Sequence, residues 1–266
     1  MTTSPTFPSR LTWWRKHRGL SQLQLALGAG CSQRHVSFLE LGRTRPSREM
    51  VMRLAEAMTL PLRQSNELLL TAGFAPIWHE SRLDDEALAP VRLALDRILD
   101  QQEPFPAMVV DRRWNLLQAN RGAAALVEFL AGPIEPGSSV NLADALTAPD
   151  GLRSFLANWP EVVCYFLRSV EADAAADGTA ETAAMLQRLK GYPGVQELIS
   201  AGTPLAAEGP VLPMHFQKDG IELRLFTTIA TLGTPQDITL QELRIESFFP
   251  LDKATREVFR GWAAAV

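Results

Sequence analysis

Cysteine is scarce: Cys31 and Cys164 are the only two in 266 residues. That is too few for a disulfide scaffold or a cysteine-rich zinc site. The four histidines, His17, His35, His79 and His215, are scattered, with no His-Glu-x-x-His or paired Cys/His spacing, so metal catalysis has no support. No apolar run of about 18 residues exists, which argues against a membrane-spanning helix. The N-terminus has no apolar h-region, so no secretory signal is expected and the cytosol is the expected compartment. Phosphate-cradling Gly-x-x-x-x-Gly-Lys and Gly-x-Ser-x-Gly motifs are missing, and Gly191-Tyr192-Pro193-Gly194 reads as a turn. Nothing points to an enzyme, and no metal or cofactor is expected. What remains is ordinary globular material, 46% hydrophobic and 21% charged. The length suffices for two domains of roughly 100–200 residues each.

The net charge of −4 conceals an asymmetry. Residues 1–75 carry ten Lys/Arg against four acids, or +6, and the remainder carries 16 against 26, or −10. A basic head that meets a polyanion and an acidic body that does not would produce this split.

Punctuation along the basic head predicts five short helices. The first spans about 9–17; the second starts after the N-cap Ser21 and ends near Gly28–Gly30. The third starts at Ser32 and ends at Gly42, a left-handed C-cap residue. The fourth follows Pro46-Ser47, and the fifth runs from Pro61 to Gly73. A helix is expected over 88–102, within a linker at 76–103, read as a connecting helix with a peripheral helix packed on either neighbour as the alternative. From 104 onward, strands are expected at 107–111 and 114–119, around an Asp111-Arg112-Arg113 turn. Helices then follow over 121–130, 141–146, 151–157, 161–175, 181–189 and 194–200. Lys218-Asp219-Gly220 signals a hairpin pairing 211–217 with 221–229, with Pro213 making the first an edge or a late-starting strand. Ile221, Leu223, Leu225, Thr227 and Ile229 share one face of the second strand. A further alternating strand, Leu243 and Ile245 against Arg244 and Glu246, ends at Pro250, and a last helix covers 251–262.

The spacing in Ser21–Gly42 is the most informative feature. Leu25, Ala26 and Ala29 share a face of the second helix; Val36, Leu39 and Glu40 share a face of the third. Small Gly28, Ala29 and Gly30 suit two helices crossing closely at a short turn. With Val36 and Leu39 inward, Gln33, Arg34 and Ser37 must point outward, and such donors reach base edges in a major groove. Cys31, just ahead of the third helix, reads as a small buried thiol rather than a redox switch.

Leu20-Ser21-Gln22, Leu25-Ala26, Ser32 and Ser37-Phe38-Leu39-Glu40-Leu41-Gly42-Arg43 resemble the XRE family of phage-repressor-like helix-turn-helix regulators. Arg45-Pro46-Ser47, Leu54-Ala55-Glu56-Ala57 and Leu68 to Pro76 are similar to the subgroup with an MmyB-like, PAS-like ligand-binding domain. So are Pro104 to Asn115, Asn120-Arg121, Gly233 to Leu240, Leu243-Arg244-Ile245-Glu246 and Phe249-Pro250. The resemblance implies a multidomain fold. An all-α five-helix helix-turn-helix domain (1–75) and the linker would precede an α+β PAS-like domain (104–266) with an antiparallel sheet and inserted helices.

The resemblance also implies roles. Gln33 and Arg34 lie at base-reading positions, Gln suiting adenine and Arg guanine. Ser37 can add a hydrogen bond. Phe38 stands where phage repressors often carry a polar reader, so it either touches a thymine methyl or packs. Gln22, Arg43, Arg45 and Lys16 are candidate phosphate contacts. Arg15 and Glu40, on otherwise inward faces, suggest a partly buried ion pair, the alternative being two exposed charges. Trp114, Phe129, Phe155, Trp159, Tyr165, Phe166 and Phe226 are candidates to line a PAS-like cavity, with ordinary core as the alternative. Known members look like lipid or fatty-acid binders, which makes Arg168 and Asn120 candidate polar anchors, although Arg168 could equally face solvent. The expected protein is a homodimeric regulator, a repressor, with double-stranded operator DNA and a small apolar ligand such as a fatty acid as partners, and no membrane. The alternatives are a ligand-independent DNA-binding scaffold and an enzyme with an unrecognised site in 104–266.

Overall fold

Serine caps define the first helices. The computed structural model describes residues 6–133, 139–202 and 210–264. It begins with α1 (Phe7–His17), α2 (Gln22–Gly28), α3 (Gln33–Glu40), α4 (Arg48–Ala57) and α5 (Leu62–Thr71). α1 starts two residues earlier than the sequence suggests, because the Thr6 amide donates to Ser9 Oγ at 3.0 Å and Pro8 fits the first turn. At α2, Ser21 Oγ accepts from the Gln24 amide (3.1 Å) while Gln24 Oε1 accepts from the Ser21 amide (2.8 Å), a reciprocal capping box. Ser32 and Ser47 cap α3 and α4 by accepting from the His35 and Met50 amides. Gly42 sits at φ +67, the left-handed region open to glycine at little cost. Leu11, Leu25, Val36, Leu39, Leu54 and Leu69 are fully buried between the five helices. Gly28 serves a different crossing from the one expected: a Cβ there would lie 3.1 Å from Ala57 Cβ, so its smallness admits α4 rather than easing the α2–α3 turn.

The remaining elements are a 3-10 turn (Glu86–Leu88), α6 (Ala89–Gln102), β1 (Ala107–Val110), β2 (Leu116–Ala119), α7 (Arg121–Ala131) and α8 (Leu142–Thr147). A second 3-10 turn (Leu152–Phe155), α9 (Trp159–Asp177), α10 (Ala180–Lys190) and α11 (Val195–Ala201) follow. Last come β3 (Met214–Lys218), β4 (Ile221–Ala230), α12 (Ile238–Glu242), β5 (Arg244–Pro250) and α13 (Lys253–Ala264). The strands form one antiparallel sheet in the order β2-β1-β5-β4-β3. β3 and β4 meet through Asp219 and Gly220, both at positive φ (+50 and +77), as a two-residue hairpin turn requires. The helix expected over 151–157 is only the short 3-10 turn, and α9 opens at Trp159.

The chain groups into two units, Met1–Ser81 with Pro235–Gln241, and Arg82–Thr234 with Glu242–Val266. α6 belongs to the second, where Leu95 and Leu99 are buried and Gln102 Nε2 donates to the Phe248 carbonyl at 2.8 Å. The stretch 235–241 belongs to the first. There Asp237 Oδ2 accepts from the Ser81 amide (3.1 Å) and hydroxyl (2.7 Å), while Asp237 Oδ1 accepts from the Thr239 amide (2.9 Å). Gln241 Oε1 accepts from the Leu62 amide at 2.8 Å, satisfying a free N–H at the start of α5. The segment between β4 and β5 is thereby pinned among the helices of the first unit.

Candidate functional site

In the first unit, burial of Val36 and Leu39 turns the opposite side of α3 outward, and Gln33 and Arg34 are exposed. Ser37 and Phe38 are half-buried beside them. The Arg34 guanidinium lies over the Phe38 ring at 5.0 Å and that of Arg43 at 5.9 Å, so the ring is a platform between two cations. Phe38 therefore packs against the two arginines. Arg45 and Lys16 are also exposed. Arg10, Arg15 and Arg63 pair with Glu67, Glu40 and Glu80, whereas Lys16, Arg34, Arg43 and Arg45 have no carboxylate within ion-pair distance among the described residues. Three acids of this unit thus pair with other arginines, and the positive charge around α3 is not neutralised by them.

Arg15 and Glu40 form the expected ion pair: Arg15 Nε donates to Glu40 Oε1 (2.6 Å) and Nη2 to Oε2 (3.0 Å). Gln22 Nε2 also donates to Glu40 Oε2, at 2.7 Å. Gln22, expected to contact a phosphate, thus commits one amide hydrogen inside the unit and retains one other together with its carbonyl oxygen. Cys31 is half-buried, not fully buried as expected, and burial raises its thiol above its ordinary value, with Arg53 pulling the other way.

In the second unit, β1, β4 and β5 face α7, α8 and α9 across a cavity of about 440 Å³, within the range of small-molecule sites. Its wall is mostly apolar, with Leu126, Leu142, Val162, Phe216, Ile229 and Phe248 among the contributors. Three of the nine residues expected there are present: Trp114, Tyr165 and Phe166.

The other six have different work. Asn120 caps α7, accepting from the Ala123 and Ala107 amides (both 2.9 Å) and donating to the Leu99 and Phe105 carbonyls. An asparagine directly before a helix is a capping signal, which the anchor reading overlooked. Arg168 is exposed, on the side of α9 away from buried Val163, Leu167 and Val170. Phe129 and Phe155 embrace Lys218, whose Nζ lies 5.7 and 5.4 Å from their rings and donates to the Phe129 carbonyl (2.6 Å). Trp159 donates to the Leu146 carbonyl (2.8 Å) beneath the Arg153 guanidinium. Phe226 stacks on its cross-strand partner Phe249, centroids 5.3 Å apart.

Sequence alternation placed Glu246 on the polar face of β5, yet it lies on the cavity wall with Thr227 of β4. Both faces of this strand are covered, Leu243 and Ile245 being buried on one side and Phe248 on the other, so alternation could not identify the cavity side. Burial pushes the Glu246 carboxyl up to about 7, with the Thr227 hydroxyl and the Arg244 charge opposing. Trp114 is held just past the β1–β2 turn. Asp111 Oδ1 accepts from the Arg113 (2.8 Å) and Asn115 (2.9 Å) amides, and Trp114 between them is forced to φ +65. Its ring meets the edge of Phe166 and carries Arg244 at 5.2 Å, and Arg244 in turn pairs with Asp173 at 2.7 Å.

A helix-turn-helix unit followed by an α+β unit with a mostly apolar cavity is the build of a DNA-binding transcription regulator with a ligand-binding domain. A helix-turn-helix family pattern matches residues 11–64, and that of the MmyB-like transcription regulator ligand binding domain matches residues 91–261. The chain belongs to the MmyB-like transcription regulators. No curated relative matches it. Among the described residues no helix is long and apolar enough to cross a membrane.

Proposed function

We propose that this regulator is a cytosolic, non-catalytic homodimeric repressor whose operator affinity changes when a small apolar molecule occupies the cavity. The observation that carries this reading is the path of the chain. Thr227 and Ile229 of β4 and Glu246 and Phe248 of β5 stand on the cavity wall, and residues 235–241, which join those strands, belong to the helix-turn-helix unit. A ligand that resets these strands would act on a segment hydrogen-bonded to Ser81 and Leu62.

Gln33 and Arg34 would read bases, Arg43, Arg45 and Lys16 would bind phosphates, and the remaining amide hydrogen of Gln22 would add one contact. An eight-residue reading helix spans only a short half-site, which supports a dimer on a two-fold operator. The ligand must bind the two arrangements unequally to shift anything. Typical couplings of about 1–3 kcal/mol correspond to roughly 5- to 150-fold in DNA affinity. The apolar wall supports the hydrocarbon part of a fatty acid, while neither expected anchor, Asn120 nor Arg168, reaches the cavity. Operator titration with and without saturating ligand tests the proposal. An unchanged affinity would defeat the sensor reading and favour a body that serves assembly alone.

A further inference from the structure

Three observations describe the polar side of the cavity. First, the described residues that line it include no lysine, arginine or histidine; their only carboxyl side chains are Glu246 and Glu161, the latter exposed. Second, Trp114 is 3% exposed, yet its Nε1 has no hydrogen-bond partner among the described residues. An indole N–H can only donate, so this buried donor is left unsatisfied by the described residues. Third, the Glu246 carboxyl stands on the same wall beside the Thr227 hydroxyl, where burial favours its neutral form.

We infer that the cavity takes an uncharged alkyl amphiphile, a long-chain alcohol or primary amide, whose head accepts from Trp114 Nε1 and donates to the Glu246 carboxyl. The inference rests on the reading of this cavity as the ligand site.

The competing head groups fit less well. A free carboxylate would find no cation on the wall and would bring a second negative charge toward Glu246, since Arg244 is already engaged with Asp173 and the Trp114 ring. An alkylammonium could pair with Glu246 but would leave the Trp114 N–H unsatisfied and would enter the field of Arg244, which already acts on that carboxyl. The titratable side chains facing the cavity from α9 are Glu161, Cys164 and Tyr165, and none supplies a positive charge. A hydroxyl or amide both accepts and donates, which matches the donor-only indole of Trp114 and the carboxyl of Glu246 on one wall.

The test uses the intact protein and calorimetric titration with decanol, decanamide, decanoate and decylamine, at about one pH unit below and above the neutral range in which Glu246 titrates. Decanol and decanamide are expected to bind at both values. Decanoate is expected to bind at least about tenfold more weakly than decanol at the higher pH, where its charge and that of Glu246 coexist. Trp114→Phe keeps the ring and removes the donor, and is expected to weaken decanol about fivefold to tenfold. Because Trp114 is a core residue, Glu246→Gln and Glu246→Leu provide the second arm: the amide is expected to retain decanol binding and the leucine to lose it. Tighter binding of decanoate or decylamine than of decanol at the higher pH would overturn the head-group assignment and leave the cavity as the ligand site. Binding of none of the four would overturn the ligand-site reading as well.

Discussion

Arg15 and Glu40 close two hydrogen bonds between α1 and α3, with side chains only 12% and 7% exposed. The pair fixes the angle at which α3 presents Gln33 and Arg34. Burial alone would raise the Glu40 carboxyl. Hydrogen bonds from Arg15 and Gln22, with the charges of Arg15 and Lys16, outweigh it and hold the group below its ordinary value. Removing one partner leaves the other charge poorly solvated, so Glu40→Ala is expected to cost about 3–5 kcal/mol. A carboxyl depressed in the folded state contributes stability above its unfolded pKa and loses it as pH falls through the folded value. Thermal melts of the wild type should therefore drop below about pH 4, and Glu40→Gln should lack that part of the drop.

Phosphate and base contacts separate by salt. Arg43→Ala and Arg45→Ala are each expected to lower the slope of log affinity against log salt by about one, nearly independently of sequence. Arg34→Ala is expected to cost about 1–3 kcal/mol and to relax preference at one base position. Because Arg34 and Arg43 share the Phe38 ring, Phe38→Ala should weaken both effects together. Anisotropy titrations over a salt series measure all four variants.

Glu246 gives the second unit the opposite pH signature. Its folded value near 7 exceeds the ordinary value of 4.5, so the stability linked to its proton is complete below about pH 4. It is lost as pH rises to about 7, because the unfolded chain ionises first. Glu246→Gln should therefore be more stable than the wild type at about pH 8 by roughly 2 kcal/mol, and should lose that advantage near pH 4. Melts of the two proteins at both values check it.

Asp237 separates coupling from binding. Asp237→Ala removes the acceptor for Ser81 and the cap at Thr239, expected to cost about 1 kcal/mol. It touches neither the α3 surface nor the cavity wall. Ligand affinity and operator affinity, each measured alone, should stay within about threefold, a change of under 1 kcal/mol, while the ligand's effect on DNA binding should shrink.

The caps of the first unit were legible because they are local: Ser21, Ser32 and Ser47 lie within three residues of the amides they satisfy, and Asp219-Gly220 needs only its own turn geometry. The outward side of α3 followed from helical periodicity around Val36 and Leu39. The cavity was not legible in this way, since its wall is assembled from strands and helices far apart in sequence. Aromatic content found Trp114, Tyr165 and Phe166 but equally nominated Phe129 and Phe155, whose task is to hold Lys218. Alternation along β5 set Glu246 against Leu243 and Ile245 but could not tell which covered face would border the void. The docking of 235–241 onto the first unit depends on pairing Asp237 with Ser81, which are 156 residues apart, and no local pattern announces it.

Base reading by α3 is measured by selection from a randomised duplex library, run with the wild type and with a Gln33→Ala, Arg34→Ala double variant. The wild type is expected to enrich a two-fold sequence with defined purines in each half-site, and the double variant to bind DNA still but to lose preference at those positions. Equal enrichment of the same sequences by both proteins would contradict base reading by α3.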